Sequence, residues 1–496
     1  MSHGGSSGSL LAEEDMEELR GAAAEFYRQS GVVRELEEAL DQLFRRRPRD
    51  LHGFLADYFD KLSAPPLISR LKGREVYDAR GQLCIEAEVF CVVRNTEKSV
   101  SSAAVSCCLD PKTTSADSED EERTEHVTTA AQWINGPLSN MLKDRSPCDQ
   151  SEVDQMLSDF FMTRCLEDKE MMIHSPSMEE ESSPSSPPAQ DKDKKIRDKG
   201  KKNNTVEKPF PPAEPPEPVL HGSTAIGSVS LAVAKAGAEL QRIPLYHHIA
   251  ALKSHQVGDE RFHIPVSLVT LICCGRTSPG KLNLLEEVIL VPKPGQPVIQ
   301  TVTMTLQLQK EMMRIMTATR AGSKGKYEVA AGVLKSPDEL VDLYQTLLHR
   351  HPAVVALIDP FRREDKEQWE KLSSAVGNAC SLISDVTNVS QLPVGGKGCI
   401  VKLVHETTIS DLIRISSQPG SVMLGLTQSE PCSDASLSDL AVGLGLDYIK
   451  LGGLHGAERM TKYNRLISIE EELAQRGILV NKDKHSPPFP GAVLHS

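Results

Sequence analysis

Short apolar runs alternate with helical segments at a nearly even spacing through residues 350–473. The runs are AVVALIDP (353–360), SLISDV (381–386), CIVKLV (399–404), SVMLGL (421–426) and DYIKLG (447–452). Each is rich in Val, Ile and Leu without polar alternation, which predicts strands buried on both faces. Between them EQWEKLSSAV, ISDLIRIS and SLSDLAVGL carry apolar residues at helical spacing. Strand, helix and parallel strand repeated in this way predict a β/α barrel or an open doubly wound sheet. A polar residue closes nearly every run: Asp359, Asp385, Lys402, Thr427 to Ser429, and Lys450. In parallel α/β architectures that edge carries the chemistry, and lysines there are unusual.

Upstream the pattern changes several times. Residues 1–30 are an acidic N-terminal segment in which 10–30 read as a helix with a weak apolar face. In 31–64, Leu36, Leu40, Leu43 and Phe44 share one helical face, Pro48 breaks it, and Phe54, Leu55, Tyr58, Phe59 and Leu62 form the next. Two short amphipathic helices cannot bury these faces alone, so pairing with a second copy is expected. The pattern ELEEALDQLFRRRPRDLHGFLADYF resembles the docking-and-dimerisation domain of type II regulatory subunits of protein kinase A and its Dpy-thirty-type relatives. That resemblance implies an X-shaped four-helix bundle offering residues 32–62 to an amphipathic anchoring helix. A helical hairpin packed on the chain's own globular part is the alternative.

In 68–165, Ile85, Ala87 and Val89 alternate with Glu86 and Glu88 after a turn at Arg80-Gly81, which predicts a half-buried antiparallel strand. Helical patterning follows over 130–161. Residues 166–218 are charged and Pro-rich, too poor in apolar side chains to offset ordering entropy, and predict a disordered insertion. Its Lys-rich run reads as a solvated linker, or as a nuclear-import or acidic-partner patch. Folding resumes over 219–252 with an apolar helix that Ser223 would N-cap. The segment 262–480 completes the chain's barrel-like part, with a Met- and Thr-rich helix near 300–320.

Composition narrows the function. A net charge of −13 argues against general nucleic-acid binding. Eleven cysteines, an odd number without C-x-x-C or Cys/His metal spacing, predict reduced thiols in the cytoplasm. The N-terminus lacks the pattern of a secretory signal, and no run reaches the length of a membrane span. Neither G-x-x-x-x-G-K-[ST] nor G-x-G-x-x-G occurs around VSLVTLICCGRTSPG.

Three long motifs resemble those of enolases. REVYDARGQLCIEAEVF is similar to the family's R-E-x-x-D-S-R-G-N-P-T-V-E-V. STAIGSVSLAVAKAGAELQRIPLYHHIAAL is similar to its A-I-L-G-V-S-L-A-x-x-K-A-G-A and P-L-Y-x-H-I-A. LDYIKLGGLHGAERMTKYNRLISIEEEL is similar to its C-terminal I-K-T-G-A-x-x-R-S-E-R-x-x-K-Y-N-x-L-L-R-I-E-E-E-L. The resemblance spans about residues 68–109, 128–165, 220–292 and 337–475. It implies an α/β fold: an enolase-like α+β N-terminal domain followed by a β/α barrel, here incomplete. The docking-like N-terminus matches best a divergent sperm-type branch of the family. That match implies a cytoplasmic or flagellar protein forming a homodimer or an enolase hetero-oligomer.

By the same resemblance the substrate is 2-phosphoglycerate, dehydrated to phosphoenolpyruvate with Mg²⁺ holding the carboxylate and a lysine as base. Lys402 falls on the base lysine, Lys450 on the second lysine, Glu287 on the glutamate of Q-E-F-M-I-x-P, and Ser429 on the last serine of S-H-R-S. Asp385 keeps the second acid of D-D-L-T, and with Asp359 is a candidate metal ligand. The departures are substantial. Ile358 stands where I-E-D-P-F has its metal glutamate, Ser384 replaces the first acid of D-D-L-T, and Thr427 and Gln428 replace the histidine and arginine of S-H-R-S. The flexible loop falls on AAVSCCLDP, and the loop histidine falls near Ser278. N-V-G-D-E-G-G has no counterpart, and the stretch from Pro292 to Ala353 is far shorter than the family's. Mg²⁺ demands several oxygens in near-octahedral array. The sequence therefore supports two expectations, an enolase-type lyase and a catalytically impaired enolase acting as a scaffold in a kinase-anchoring or flagellar assembly.

Overall fold

The computed structural model describes residues 7–106, 116–174, 219–254, 261–273, 286–321, 336–386, 392–403, 406–418, 421–427, 430–431 and 434–489. The chain divides into two compact units, Met1–Pro66 and Leu67–Ser496. In the first, α1 (Ser7–Ser30) ends before Gly31, whose φ of 68° is a left-handed conformation that glycine adopts without steric cost. Next come α2 (Val32–Arg46) and α3 (Leu51–Leu62), the latter capped by the Asp50 carboxylate accepting from Gly53 N–H at 2.9 Å. The helices break around Pro48 as the sequence predicts. Ala39 is buried and Leu43, Phe54, Leu55, Tyr58 and Phe59 are half-buried. Val33, Leu36, Leu40 and Phe44, however, form an exposed stripe along α2.

The second unit opens with an antiparallel sheet of β1 (Leu67–Tyr77), β2 (Leu83–Val93) and β3 (Thr96–Val105), in that order. Ile85, Ala87 and Val89 are fully buried, so the alternation in β2 is real and its Glu86 and Glu88 face outward. Helices α4 (Ala116–Trp133), α5 (Ser139–Leu142) and α7 (Thr224–Leu240) pack on this sheet with a π-turn at Ile134–Leu138 holding Pro137, while α6 (Gln150–His174) and α8 (Leu245–Ser254) pack against α7. The insertion boundary at 165 needs correction, since α6 continues to His174; residues 175–218 lie outside the described residues. Ser223 does sit at the N-cap of α7, but its hydroxyl makes no capping bond.

The remaining elements are β4 (Val266–Cys273), β5 (Glu287–Leu290), α9 (Val298–Ala321), α10 (Pro337–Arg350), β6 (Ala356–Ile358), α11 (Lys366–Val376), β7 (Ser381–Asp385), β8 (Gly398–Lys402), α12 (Ile409–Ser416), β9 (Ser421–Gly425), α13 (Ser436–Gly443), β10 (Tyr448–Gly452) and α14 (Ala457–Arg476). α10 starts on a full capping box from Ser336 and Glu339. The strand order is β5-β4-β10-β9-β8-β7-β6, parallel except for β4 with β5. Successive strands from β6 to β10 are neighbours without a reversal, and β10 then pairs with β4. A doubly wound sheet would change direction part-way, whereas return to the first strand is the topology of a barrel. Among the described residues β5 and β6 do not pair, so the barrel stays open there. The stretch 300–321, which could have supplied a missing strand, is helix α9; residues 322–335 lie outside the described residues.

Inner and outer faces follow the period of two. Leu268, Ile383, Ile400, Met423 and Tyr448 point inward and form one apolar layer with Phe489 from the tail after α14. Their neighbours Val269, Cys399, Val401, Leu424 and Ile449 face outward into the main core with α7, α8 and α12–α14.

Candidate functional site

Two residues beyond the inner apolar layer, the same alternation places the next inward side chains at the C-terminal edge of the sheet. From Leu268, Ile383, Ile400, Met423 and Tyr448 one reaches Thr270, Asp385, Lys402, Gly425 and Lys450. Glu287 joins them because β5 runs antiparallel and begins at this edge. The structure therefore gathers Lys402, Lys450, Glu287, Asp385 and Asp359 on one rim. Ser429 lies outside the described residues, as do Gln428 and Ser278.

The charges on this rim neutralise each other. Lys402 Nζ lies 2.9 Å from Asp385 Oδ2, and Lys450 Nζ lies 2.7 Å from Glu287 Oε2. Thr270 on the intervening strand also donates its hydroxyl to Glu287. Asp359 follows β6 with a φ of 45°, its own N–H donating to Ile383 O at 3.0 Å. Its carboxylate accepts from Ser384 Oγ at 2.8 Å and from Asp385 N–H at 3.2 Å. Burial pushes the Asp359 pKa up, the two donors oppose this, and the Asp385 carboxylate adds to it. Ile358, at the position that the resemblance gives to a metal-binding glutamate, packs against the apolar inner layer.

Sequence reasoning missed part of the rim. Ser106, at the end of β3, shares a buried 2.7 Å hydrogen bond with Thr427, which follows β9. The Thr427 N–H and hydroxyl both donate to Glu430 Oε1 at 3.0 Å, and Lys462 Nζ, 1% exposed, lies 3.7 Å from Glu430 Oε2. Burial pushes the Glu430 pKa up despite Lys462. Lys462 lies in the K-Y-N of the C-terminal motif, and that match was the available signal; Thr270 could have been found by counting two residues on from Leu268.

These residues do not fit Mg²⁺. Among the described residues no group of three or more His, Cys, Asp or Glu side chains is arranged to hold a metal. Mg²⁺ needs oxygens at about 2.0–2.1 Å in octahedral array. Here the oxygens of Asp385 and Glu287 already face lysine ammonium groups, and those of Asp359 face a hydroxyl and an amide.

An open β/α barrel behind a three-stranded sheet, with lysines on two inner strand ends, matches what comparison with known proteins returns. The family profile described as "Enolase, C-terminal TIM barrel domain" matches residues 324–487. Enolase 4 of Danio rerio is 40% identical, covering 95% of this chain and 94% of its own. The chain belongs to the enolase family. Enolase 4 of Homo sapiens is also similar over almost the full length, 36% identical across 98% of this chain and 93% of its own. Similarity to the enolase of Solanum lycopersicum is lower, 27% identity over 54% of this chain and 75% of that protein. No helix among the described residues is long and apolar enough to cross a membrane.

Proposed function

We propose that this chain is an enolase-fold scaffold in which dehydration of 2-phosphoglycerate is lost or strongly impaired. The observation that carries this is the seating of Lys402 on Asp385 at 2.9 Å. A base must hold a lone pair toward the substrate's α-proton, and an ammonium donating to a carboxylate does not. Without a cation cradle the doubly charged intermediate also lacks its main stabiliser, worth several kcal/mol. The scaffold is a homodimer or an enolase hetero-oligomer, and its exposed α2 stripe takes an amphipathic anchoring helix of a kinase-anchoring or sperm flagellar assembly.

A second reading, conversion of 2-phosphoglycerate to phosphoenolpyruvate, draws support from Lys402 and Lys450 standing inward at the edge where barrel enzymes work. In that reading Lys402 leaves Asp385, gives its proton to solvent and takes the α-proton, Lys450 steadies the carboxylate, and the β-hydroxyl leaves as water with a proton drawn from solvent as the double bond forms. A coupled assay of the full chain in excess Mg²⁺, run beside Lys402→Ala, separates the two. The scaffold reading expects turnover at background, or barely above it in the parent. Turnover in the parent at the rate of an ordinary enolase, about 10 per second or more and abolished by Lys402→Ala, overturns it and establishes the lyase.

A further inference from the structure

At the opposite end of the same sheet, where β4 and β10 begin, a cleft opens between the strands, the start of α9 and the tail after α14. Ser267 lies on its wall. The residue is 5% exposed and its Oγ has no hydrogen-bond partner among the described residues. A buried hydroxyl left unpaired costs about 1–3 kcal/mol, so such groups usually serve something. Lys293, in the loop after β5, and Lys484, in the tail, are exposed side chains of the same cleft, and neither forms an ion pair among the described residues.

The carboxylates nearby are already committed. Asp447 is paired with Lys482 and with His263 at 3.4 Å; burial raises its pKa, but these partners win and hold it well below the usual carboxylate range. Glu470 accepts from Val298 N–H, the first residue of α9, at 3.0 Å. Tyr448 and His485 are bonded to each other at 3.2 Å. Among the described residues Lys293, Lys484 and the Ser267 hydroxyl are left uncommitted by these pairings. The space is about 40 Å³ for the centre of a water-sized molecule, where a single water needs roughly 10–15 Å³.

We propose that this cleft binds a small oxyanion of the phosphate class. Lys293 and Lys484 supply charge at the mouth, and the Ser267 hydroxyl donates from the wall. The anion is either free phosphate or the phosphoryl group of a small metabolite. Inorganic phosphate and glycerol 3-phosphate, each titrated into the full chain against sodium chloride of equal ionic strength, test this by calorimetry and thermal melting. Saturable binding and a higher melting temperature are expected with one or both, and tighter binding of glycerol 3-phosphate assigns the metabolite. The double change Lys293→Ala with Lys484→Ala, at exposed positions that spare the fold, is expected to weaken binding at least about tenfold, and Ser267→Ala also about tenfold. Equal behaviour in phosphate and chloride, which leaves Ser267 to water alone, overturns the proposal. So does full binding by the lysine double variant.

Discussion

Asp359 shows what a single residue can report about the rim. It keeps the acid of the family's I-E-D-P-F, but its neighbour there is Ile358, and its carboxylate faces a serine, an amide and another acid. Its pKa is higher folded than unfolded, burial being the main cause. The sign follows from that direction. The ionised form is disfavoured by the fold, so the fold loses stability as pH rises from the ordinary carboxylate range through the raised value. Asp359→Asn keeps an acceptor for Asp385 N–H and suits a φ of 45°, which asparagine tolerates well. The variant is expected to melt above its parent at pH 7, with the gap closing below about pH 4. A gap independent of pH would show that the carboxylate's charge does not matter to the fold. At this scale the motifs marked positions that come together, since Lys402, Lys450, Glu287, Asp385 and Asp359 share one rim, while Ser429 lies outside the described residues. The sequence was silent on Ser384 and Thr270 as partners, because those bonds form across neighbouring strands and no local spacing encodes them.

Among the elements, α12 has the clearest local instructions. Thr408-Ile-Ser-Asp411 forms a capping box, the Thr408 Oγ1 accepting from Asp411 N–H at 3.1 Å and Asp411 accepting from Thr408 N–H at 3.2 Å. A third contributor comes from far away in sequence. Asp154 of α6 accepts from Ser410 N–H and its hydroxyl at 2.8 and 2.7 Å, and is itself bonded to Ser230 of α7. Thr408→Ala is expected to lower stability by about 1 kcal/mol in urea unfolding, as lost N-caps do. An unchanged midpoint would mean that Asp154 alone fixes the helix start. The capping box could be read from the chain; Asp154 could not, since its partners Ser230 and Ser410 lie far away in sequence. The same limit explains the ends of elements. The apolar runs located β6 to β10, yet β6 shrank to Ala356–Ile358, while α6 ran beyond its apolar pattern to His174. Hydrogen-bonding neighbours set those boundaries.

At the scale of the whole molecule, barrel and open sheet could not be told apart from strand spacing. The pairing of β10 with β4 decided it, a contact between the last and first parallel strands. The α2 stripe of Val33, Leu36, Leu40 and Phe44 belongs to this scale too, because an apolar row left exposed on one chain asks for a second surface. Leu36→Asp with Leu40→Asp is expected to reduce the mass measured by light scattering to that of a monomer, or to abolish capture of an anchoring helix. Unchanged mass and capture would free the stripe of that role. Phe489 has a consequence of another kind. It seals the inner layer built from Leu268, Ile383, Ile400, Met423 and Tyr448, yet it emerges from the ribosome after every one of them. The staves are thus delivered before their stopper, and a nascent chain must shelter a greasy, half-finished shell until residue 489 has followed them out.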